Sequence, residues 1–163
     1  ITMQQRDDIY AGKITNWNQL GGPNLSIKRY AVQGDEGDNL EIVPSPTEAI
    51  RKVADKPGGI FEASAPILAS QCKVKTLPLG RNLNQLIPPY QQPFVPLSEC
   101  PSKRNEANTP AFLNGEYPLT RRLFVVVKKN NQVDQQAGEA YANLLLTEQG
   151  QEMIQKAGFV RIR

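Results

Sequence analysis

The sequence contains no histidine among its 163 residues. Histidine is the commonest general base near neutral pH and the commonest metal ligand. A Ser-His-Asp triad, a Cys-His pair and a histidine-containing zinc site are therefore excluded within this chain. The two cysteines, Cys72 and Cys100, are too few for a four-cysteine metal site. We expect no metal, no cofactor and no enzymatic activity, although serine, lysine and carboxylate chemistry stays open.

Long apolar runs and a strong charge of one sign are also missing. The longest apolar run, residues 123–127, is far shorter than the ~18 residues that span a bilayer. Lys and Arg number 19 against 16 Asp and Glu, a net charge of +3. That excess is too small to predict binding to nucleic acid or to a membrane surface. The sequence begins at Ile1 without a signal-peptide pattern, which favours a mature or excised fragment of a longer protein.

Helical and strand patterns alternate along the chain, which predicts an α/β fold. Helices are predicted for residues 2–11, from the cap Ser45 to the residue before Pro57, along the face of residues 137–145, and from Thr147 to Gly158. Strands are predicted for residues 27–32, 60–63, 74–79, 123–127 and 159–160, the fourth of them of the buried type. Residues 80–115 are rich in proline and predict a long surface segment with apolar anchors.

Three motifs occur in a fixed order. Residues 9–22 are IYAGKITNWNQLGG, residues 117–123 are YPLTRRL, and residues 147–160 are TEQGQEMIQKAGFV. Together they closely resemble the phosphate-type solute-binding proteins of bacterial ABC importers. In that family the first motif opens the second lobe, the second returns the chain to the first lobe, and the third closes the protein.

The resemblance implies a periplasmic-binding-protein-like (type 2) lobe with a mixed sheet flanked by helices, incomplete relative to the two-lobed family fold. It implies a single domain over residues 1–163, with a second-lobe-like part (1–116) and a C-terminal return segment (117–163). The implied function is non-catalytic, extracytoplasmic solute binding by hinge closure, with a small oxyanion such as phosphate as ligand. ABC importer membrane subunits or an envelope partner protein are the implied partners. The alternative is a degenerate binding domain used for sensing or protein–protein interaction.

The family holds its anion with backbone amides and hydroxyls just after the strand that matches residues 27–32. That position here contains Gly34, Asp35, Glu36, Gly37 and Asp38, with Gly37 at the place of the family's central glycine. Three carboxylates within four residues repel an oxyanion. We therefore expect this loop to bind phosphate poorly. A cation site is the alternative, but the spacing lacks the pattern of a calcium loop, which favours a solvated turn.

Two further places are candidates for ligand contacts. Ser45 and Thr47 begin a helix, where free amides favour an anion, although Glu48 competes for the same amides in a capping box. Arg121 and Arg122 lie where the family's chain crosses between lobes. They are predicted either to line the cleft or to pair with surface carboxylates.

The family's first-lobe strands have no counterpart in this sequence. The apolar surface that they would cover, chiefly around residues 123–127, is therefore expected to be exposed. Association to a homodimer or a strand-exchanged pair is the predicted consequence.

The two cysteines are either bridged or free buried thiols. An oxidising, extracytoplasmic address, which the resemblance implies, favours a Cys72–Cys100 disulfide. Such a bridge would fasten the proline-rich stretch to the lobe. No Cys-x-x-Cys spacing indicates exchange chemistry, so the bridge is expected to be structural.

Overall fold

A three-stranded sheet in the order β2-β1-β3 forms the centre of the fold, and all three strands run parallel. The computed structural model describes residues 1–34, 39–100 and 102–162. The strands are β1 (Lys28–Val32), β2 (Glu41–Val43) and β3 (Gly59–Phe61). The helices are α1 (Met3–Tyr10), α2 (Pro46–Asp55), α3 (Ala65–Leu68), α4 (Thr109–Leu113), α5 (Val133–Leu146) and α6 (Glu148–Lys156), with 3₁₀ turns at Trp17–Leu20 and Leu97–Glu99.

The predicted α/β class and the helix-flanked sheet are confirmed. The described strands show no antiparallel member, where a mixed sheet was predicted. In β1, Arg29, Tyr30 and Ala31 are all buried, so both faces of the central strand are covered. The core cluster joins Tyr30 to Val43 on β2 and Ala49 on α2.

Threonines and glycines at the predicted helix ends cap α1 and α6. Thr2 accepts a hydrogen bond from Gln5 N (3.1 Å), and the Gln5 side chain accepts one from Thr2 N (2.8 Å), a complete capping box at α1. Thr147 accepts from Gly150 N (3.1 Å) at the start of α6. Gly12, after α1, has φ +73°, and Gly158, after α6, has φ +87°.

Two side chains fix the segment between α1 and β1. The guanidinium of Arg29 donates to the carbonyls of Ile9 and Tyr10 (3.1 and 3.2 Å), and a cation is favoured at this end of a helix. The indole of Trp17 donates to the carbonyl of Gly58 (3.1 Å). The predicted role of Trp17 as a loop anchor is thereby confirmed.

Three predicted strands are wrong. Residues 74–79 form no strand in the described chain, and only isolated bridges join Leu79 to Ile87 and Thr2 to Gly80. Residues 159–160 and 123–127 are not strands either. A strand needs a neighbour to supply its hydrogen bonds, and local propensity does not provide one.

Residues 123–127 were also predicted to be buried, and that prediction is wrong for this chain. Leu123, Phe124, Val125 and Val126 have exposed fractions of 69%, 79%, 46% and 92%. The expectation that this apolar surface is uncovered is confirmed.

The predicted disulfide is present between Cys72 and Cys100, whose Cα atoms lie 6.2 Å apart. It joins the region after α3 to Cys100, within the proline-rich segment. In that segment Tyr90 is almost fully buried and its hydroxyl donates to the carbonyl of Ala65. The predicted tethered surface segment is therefore confirmed.

Candidate functional site

The carboxyl ends of the three parallel strands meet at one edge of the sheet. Val32 of β1 pairs with Val43 of β2, and Tyr30 of β1 pairs with Phe61 of β3. The residues that follow these strands therefore emerge side by side. In open α/β sheets ligands bind outside this edge, where loops and helix N-termini converge. We call it the carboxyl edge, defined by Gly34, Ser45, Thr47, Glu62 and Ser64.

Gly34 and Ser45 each lie two residues beyond the paired Val32 and Val43, so the structure brings these two predicted site residues to the same edge. Gly34 is exposed and has φ +100°, a conformation that L side chains rarely adopt. The chain thus turns sharply as it leaves β1. The other predicted loop residues, Asp35, Glu36, Gly37 and Asp38, lie outside the described residues.

The N-terminus of α2 supplies the second part of the edge. Ser45 caps the helix by accepting from Glu48 N (3.3 Å), as predicted. The predicted reach of the Glu48 side chain back to Ser45 is wrong, because α2 has the serine half of the box only and the Glu48 carboxylate lies 3.7 Å from Arg51. Glu48 therefore does not occupy the cap, and Thr47 is exposed in the first turn.

An ion pair that the sequence patterns did not indicate lies at the end of β3. Arg6 Nε donates to Glu62 Oε2 (2.8 Å), and Arg6 Nη1 also reaches Asp7 (2.6 Å). Burial lowers the pKa of Arg6, but the hydrogen bonds and charges of Glu62 and Asp7 outweigh it and raise the pKa overall. The Glu62 carboxylate is therefore balanced by a cation at this edge.

Tyr117, the first residue of the second motif, lies close enough to Glu62 for the carboxylate charge to act on its phenol. Burial, and then the charge of Glu62, raise the pKa of its phenol. The hydroxyl therefore stays protonated near neutral pH and keeps its donor capacity. In the sequence Glu62 lies within the predicted strand 60–63, and no pattern there indicated its ion pair or its nearness to Tyr117.

Arg121 and Arg122 are not brought to the carboxyl edge by any observed contact. Both are exposed, and neither forms an ion pair with a described residue. Their predicted place in the cleft between the lobes stays a prediction.

A cleft of about 490 Å³ lies elsewhere, between the end of α6 and the proline-rich segment. Its charged lining mixes both signs, with Arg104 and Lys156 beside Glu106 and Glu152. None of the residues that line this cleft belongs to the carboxyl edge.

Among the described residues no group of three or more His, Cys, Asp or Glu is placed to hold a metal ion. None of the described helices has the length and apolarity needed to cross a membrane.

Replacing Ser45 with alanine is expected to lower the free energy of unfolding by about 1 kcal/mol. The substitution removes the acceptor of the Glu48 amide. Ser64 is the matched control, because it precedes α3 and makes no side-chain cap hydrogen bond. Urea unfolding should show a loss for Ser45→Ala and almost none for Ser64→Ala, and equal losses would contradict the cap.

The profile of a PBP superfamily domain matches residues 1–149. The fold is similar to that of a candidate phosphate ABC transporter substrate-binding protein from Clostridium perfringens, solved with bound phosphate, at 20% identity and a TM-score of 0.73. That similarity covers 100% of this chain and 63% of the other, so this chain spans less than two thirds of that protein. No curated protein matches the sequence.

The profile match extends from α1 into α6 and includes the whole carboxyl edge. At 20% identity the structural similarity shows the fold, and the profile shows the family. The resemblance seen in the three motifs is thereby confirmed, and the chain belongs to the periplasmic binding protein (PBP) superfamily.

Proposed function

We propose that this chain is a non-catalytic, extracytoplasmic solute-binding domain whose ligand is a small oxyanion such as phosphate. The observation that carries the proposal is the carboxyl edge in a chain of the PBP superfamily. There the turn at Gly34 lies beside the N-terminus of α2. Membrane subunits of an ABC importer or an envelope protein are the proposed partners.

The chemistry of α2 supports an anion. The first amides of a helix have no acceptor within the helix, and the helix dipole places partial positive charge there. Pro46 has no N–H group and Ser45 already accepts from the Glu48 amide, so the exposed Thr47 supplies an amide and a hydroxyl in the first turn. Amides and hydroxyls bind an oxyanion without adding charge to the site.

Charge sets the expected strength of binding. Glu62 is balanced by Arg6, so it opposes an anion less than an unpaired carboxylate would. Asp35, Glu36 and Asp38 remain in the loop that follows Gly34. We therefore expect affinity in the range of about 1 mM, which corresponds to roughly −4 kcal/mol.

Within this proposal, residues 1–116 form the second-lobe-like part and residues 117–163 the return segment. Arg121 and Arg122 lie in the return segment. We propose that they face the ligand cleft between the two lobes only when the lobes close. The loop from Gly34 to Asp38, together with Ser45 and Thr47, forms the ligand contacts of the open lobe.

Titration calorimetry of the full-length protein with phosphate and sulfate tests the proposal. Heat that saturates in the millimolar range is expected, and the combined Ser45→Ala/Thr47→Ala variant should weaken it about tenfold. Ser102→Ala, at an exposed serine outside the carboxyl edge, is the control and should bind like the parent. Absence of heat and of thermal stabilisation at millimolar ligand would overturn the oxyanion proposal.

A second candidate function is protein–protein interaction or sensing by a domain that has lost its ligand. The observation that favours it is the exposed apolar run from Leu123 to Val126. A full-length protein that binds no oxyanion yet binds a protein partner through this run would support the second candidate over the first.

A further inference from the structure

The cleft of about 490 Å³ beside the end of α6 has no part in the proposed oxyanion site. Helix α6 and the turn after it contribute lining residues between 152 and 159, and the proline-rich segment contributes Tyr90, Gln91 and residues 104–107. Residues at α3 and α4 complete the lining. Ligand sites commonly have volumes of about 300–1,000 Å³ and combine apolar surface with a few polar groups. We call this place the α6 cleft.

The parts of the chain that line the α6 cleft are joined to one another by direct contacts. Gly158, after α6, lies against α3, where a Cβ atom on it would be 3.0 Å from Pro66 Cα. Asn105 N in the proline-rich segment donates to Ala69 O at the end of α3 (2.9 Å), and the disulfide ties the same two regions. The lining is therefore formed before a ligand arrives, which lowers the entropy cost of binding.

Two cations and two carboxylates line the α6 cleft. Glu152 and Lys156 lie on α6, and Arg104 and Glu106 lie on the proline-rich segment. All four are exposed, and none forms an ion pair with another described residue. Glu152 and Lys156 have the i, i+4 spacing at which such residues commonly pair on a helix, and here they do not. The α6 cleft therefore offers charges of both signs to a ligand.

This charge pattern selects against a ligand that carries charge of one sign. A phosphate ion that approaches Arg104 or Lys156 also meets the carboxylates of Glu106 and Glu152, and a metal ion meets the two cations. A ligand with one positive and one negative group can interact favourably with both kinds of side chain. The four charges therefore favour a zwitterion.

The uncharged part of the lining indicates what joins the two charges of the ligand. Pro66, Ala69, Ala107 and Phe159 contribute apolar surface, and Phe159 is 37% exposed. An apolar side chain is stabilised against such surface by its removal from water. The side-chain amide of Gln91 can both donate to and accept from a peptide group. A dipeptide combines these features with a charge at each end.

We propose that the α6 cleft binds a short zwitterionic peptide with an apolar side chain, its ammonium group facing Glu106 and Glu152 and its carboxylate facing Arg104 and Lys156. A peptide bound there contacts both α6 and the proline-rich segment and holds them together. The inference does not depend on the oxyanion site, because no residue of the carboxyl edge lines the α6 cleft.

The probe is the dipeptide alanyl-phenylalanine. Its matched control is the same dipeptide with an acetylated N-terminus and an amidated C-terminus, which carries no charge. Calorimetry on the full-length protein should show saturable binding of the free dipeptide and at least about tenfold weaker binding of the capped form, with phosphate leaving both unchanged. Equal binding of the two forms, or no saturable heat at millimolar dipeptide, would overturn the proposal.

Two variants test the two charges of the ligand separately. Arg104→Gln/Lys156→Gln should bind the dipeptide no better than its C-terminal amide, because the carboxylate has lost its partners. Glu106→Gln/Glu152→Gln should bind the dipeptide no better than its N-acetyl form, because the ammonium group has lost its partners. If both variants discriminate as well as the parent does, the proposal is wrong.

The matched control variant is Lys56→Gln/Lys75→Gln, which removes two charges at exposed positions outside the α6 cleft and should bind like the parent. Amide chemical shifts locate the bound dipeptide. Saturable shifts are expected at Tyr90, Asn105 and Gly158, and shifts at the carboxyl edge instead would overturn the proposal. A full-length protein that binds the dipeptide at the α6 cleft but binds no oxyanion would contradict the proposed function and leave this inference standing.

Discussion

Replacing Cys72 and Cys100 with serine is expected to lower the free energy of unfolding by about 3–4 kcal/mol. The bridge spans 28 residues, and within it the described chain forms a single short 3₁₀ turn, Leu97–Glu99. Without the bridge the unfolded chain can adopt many more conformations, because its two ends are no longer held together, and folding must then overcome that extra entropy. Urea unfolding monitored by circular dichroism measures the difference.

Reductant supplies the control for this prediction. Reducing the parent protein should reproduce the loss, whereas the Cys72→Ser/Cys100→Ser variant should not respond to reductant. An unfolding midpoint that stays the same with and without the bridge would show that the proline-rich segment is held by its apolar anchors, such as the buried Tyr90.

Gly58→Ala is the second change with a large expected effect, a loss of about 3 kcal/mol or more. Gly58 has φ +84°, and a Cβ atom there would lie 2.3 Å from the carbonyl oxygen of Ser26. Its own carbonyl accepts from Lys28 N and from the Trp17 indole, both at 3.1 Å. Backbone movement to relieve the clash would therefore disturb the entry into β1 and the Trp17 anchor together.

Gly21→Ala is the matched control. Gly21 has a similar φ of +80°, but nothing lies within 4 Å of the Cβ position. It should cost only the strain of the left-handed conformation, about 1–2 kcal/mol. Thermal or urea unfolding of both variants separates strain from clash, and equal losses would show that the loop at Gly58 yields freely.

Local signals in the sequence located most of the helices and the strands β1 and β3, but not β2. Helix α2 begins at Ser45 and Pro46 and ends before Gly58, as the sequence predicted. Thr2 and Thr147 begin helices in the same way. These effects act over a few residues, so they can be recognised without knowledge of the fold.

Strand predictions failed where the hydrogen-bonding partner is distant or missing. Residues 74–79 and 123–127 have strand-like composition, yet neither forms a strand in the described chain. Composition does not reveal whether a neighbouring strand exists. For residues 123–127 the exposure was predicted from the family resemblance and not from local propensity. In the family this surface is covered by first-lobe strands, which have no counterpart in the sequence given.

The backbone turns of the candidate site could be predicted from the sequence, but its ion pair could not. Gly34 was expected from the resemblance, Ser45 and Thr47 from the helix-start pattern, and the parallel register places Gly34 and Ser45 at one edge. The Arg6–Glu62 pair joins residues 56 positions apart, so no short-range pattern indicates it. Tyr117 was noted only as a motif residue, and its nearness to Glu62 follows from the tertiary fold.

The most direct test of the solute-binding account is a phosphate titration of the full-length protein followed by amide chemical shifts. The account predicts saturable shifts at Gly34, Ser45 and Thr47, with those of Gly21 and Asn114 unchanged. Shifts that cluster instead around the cleft beside Arg104 and Lys156, or no shifts at millimolar phosphate, would contradict it.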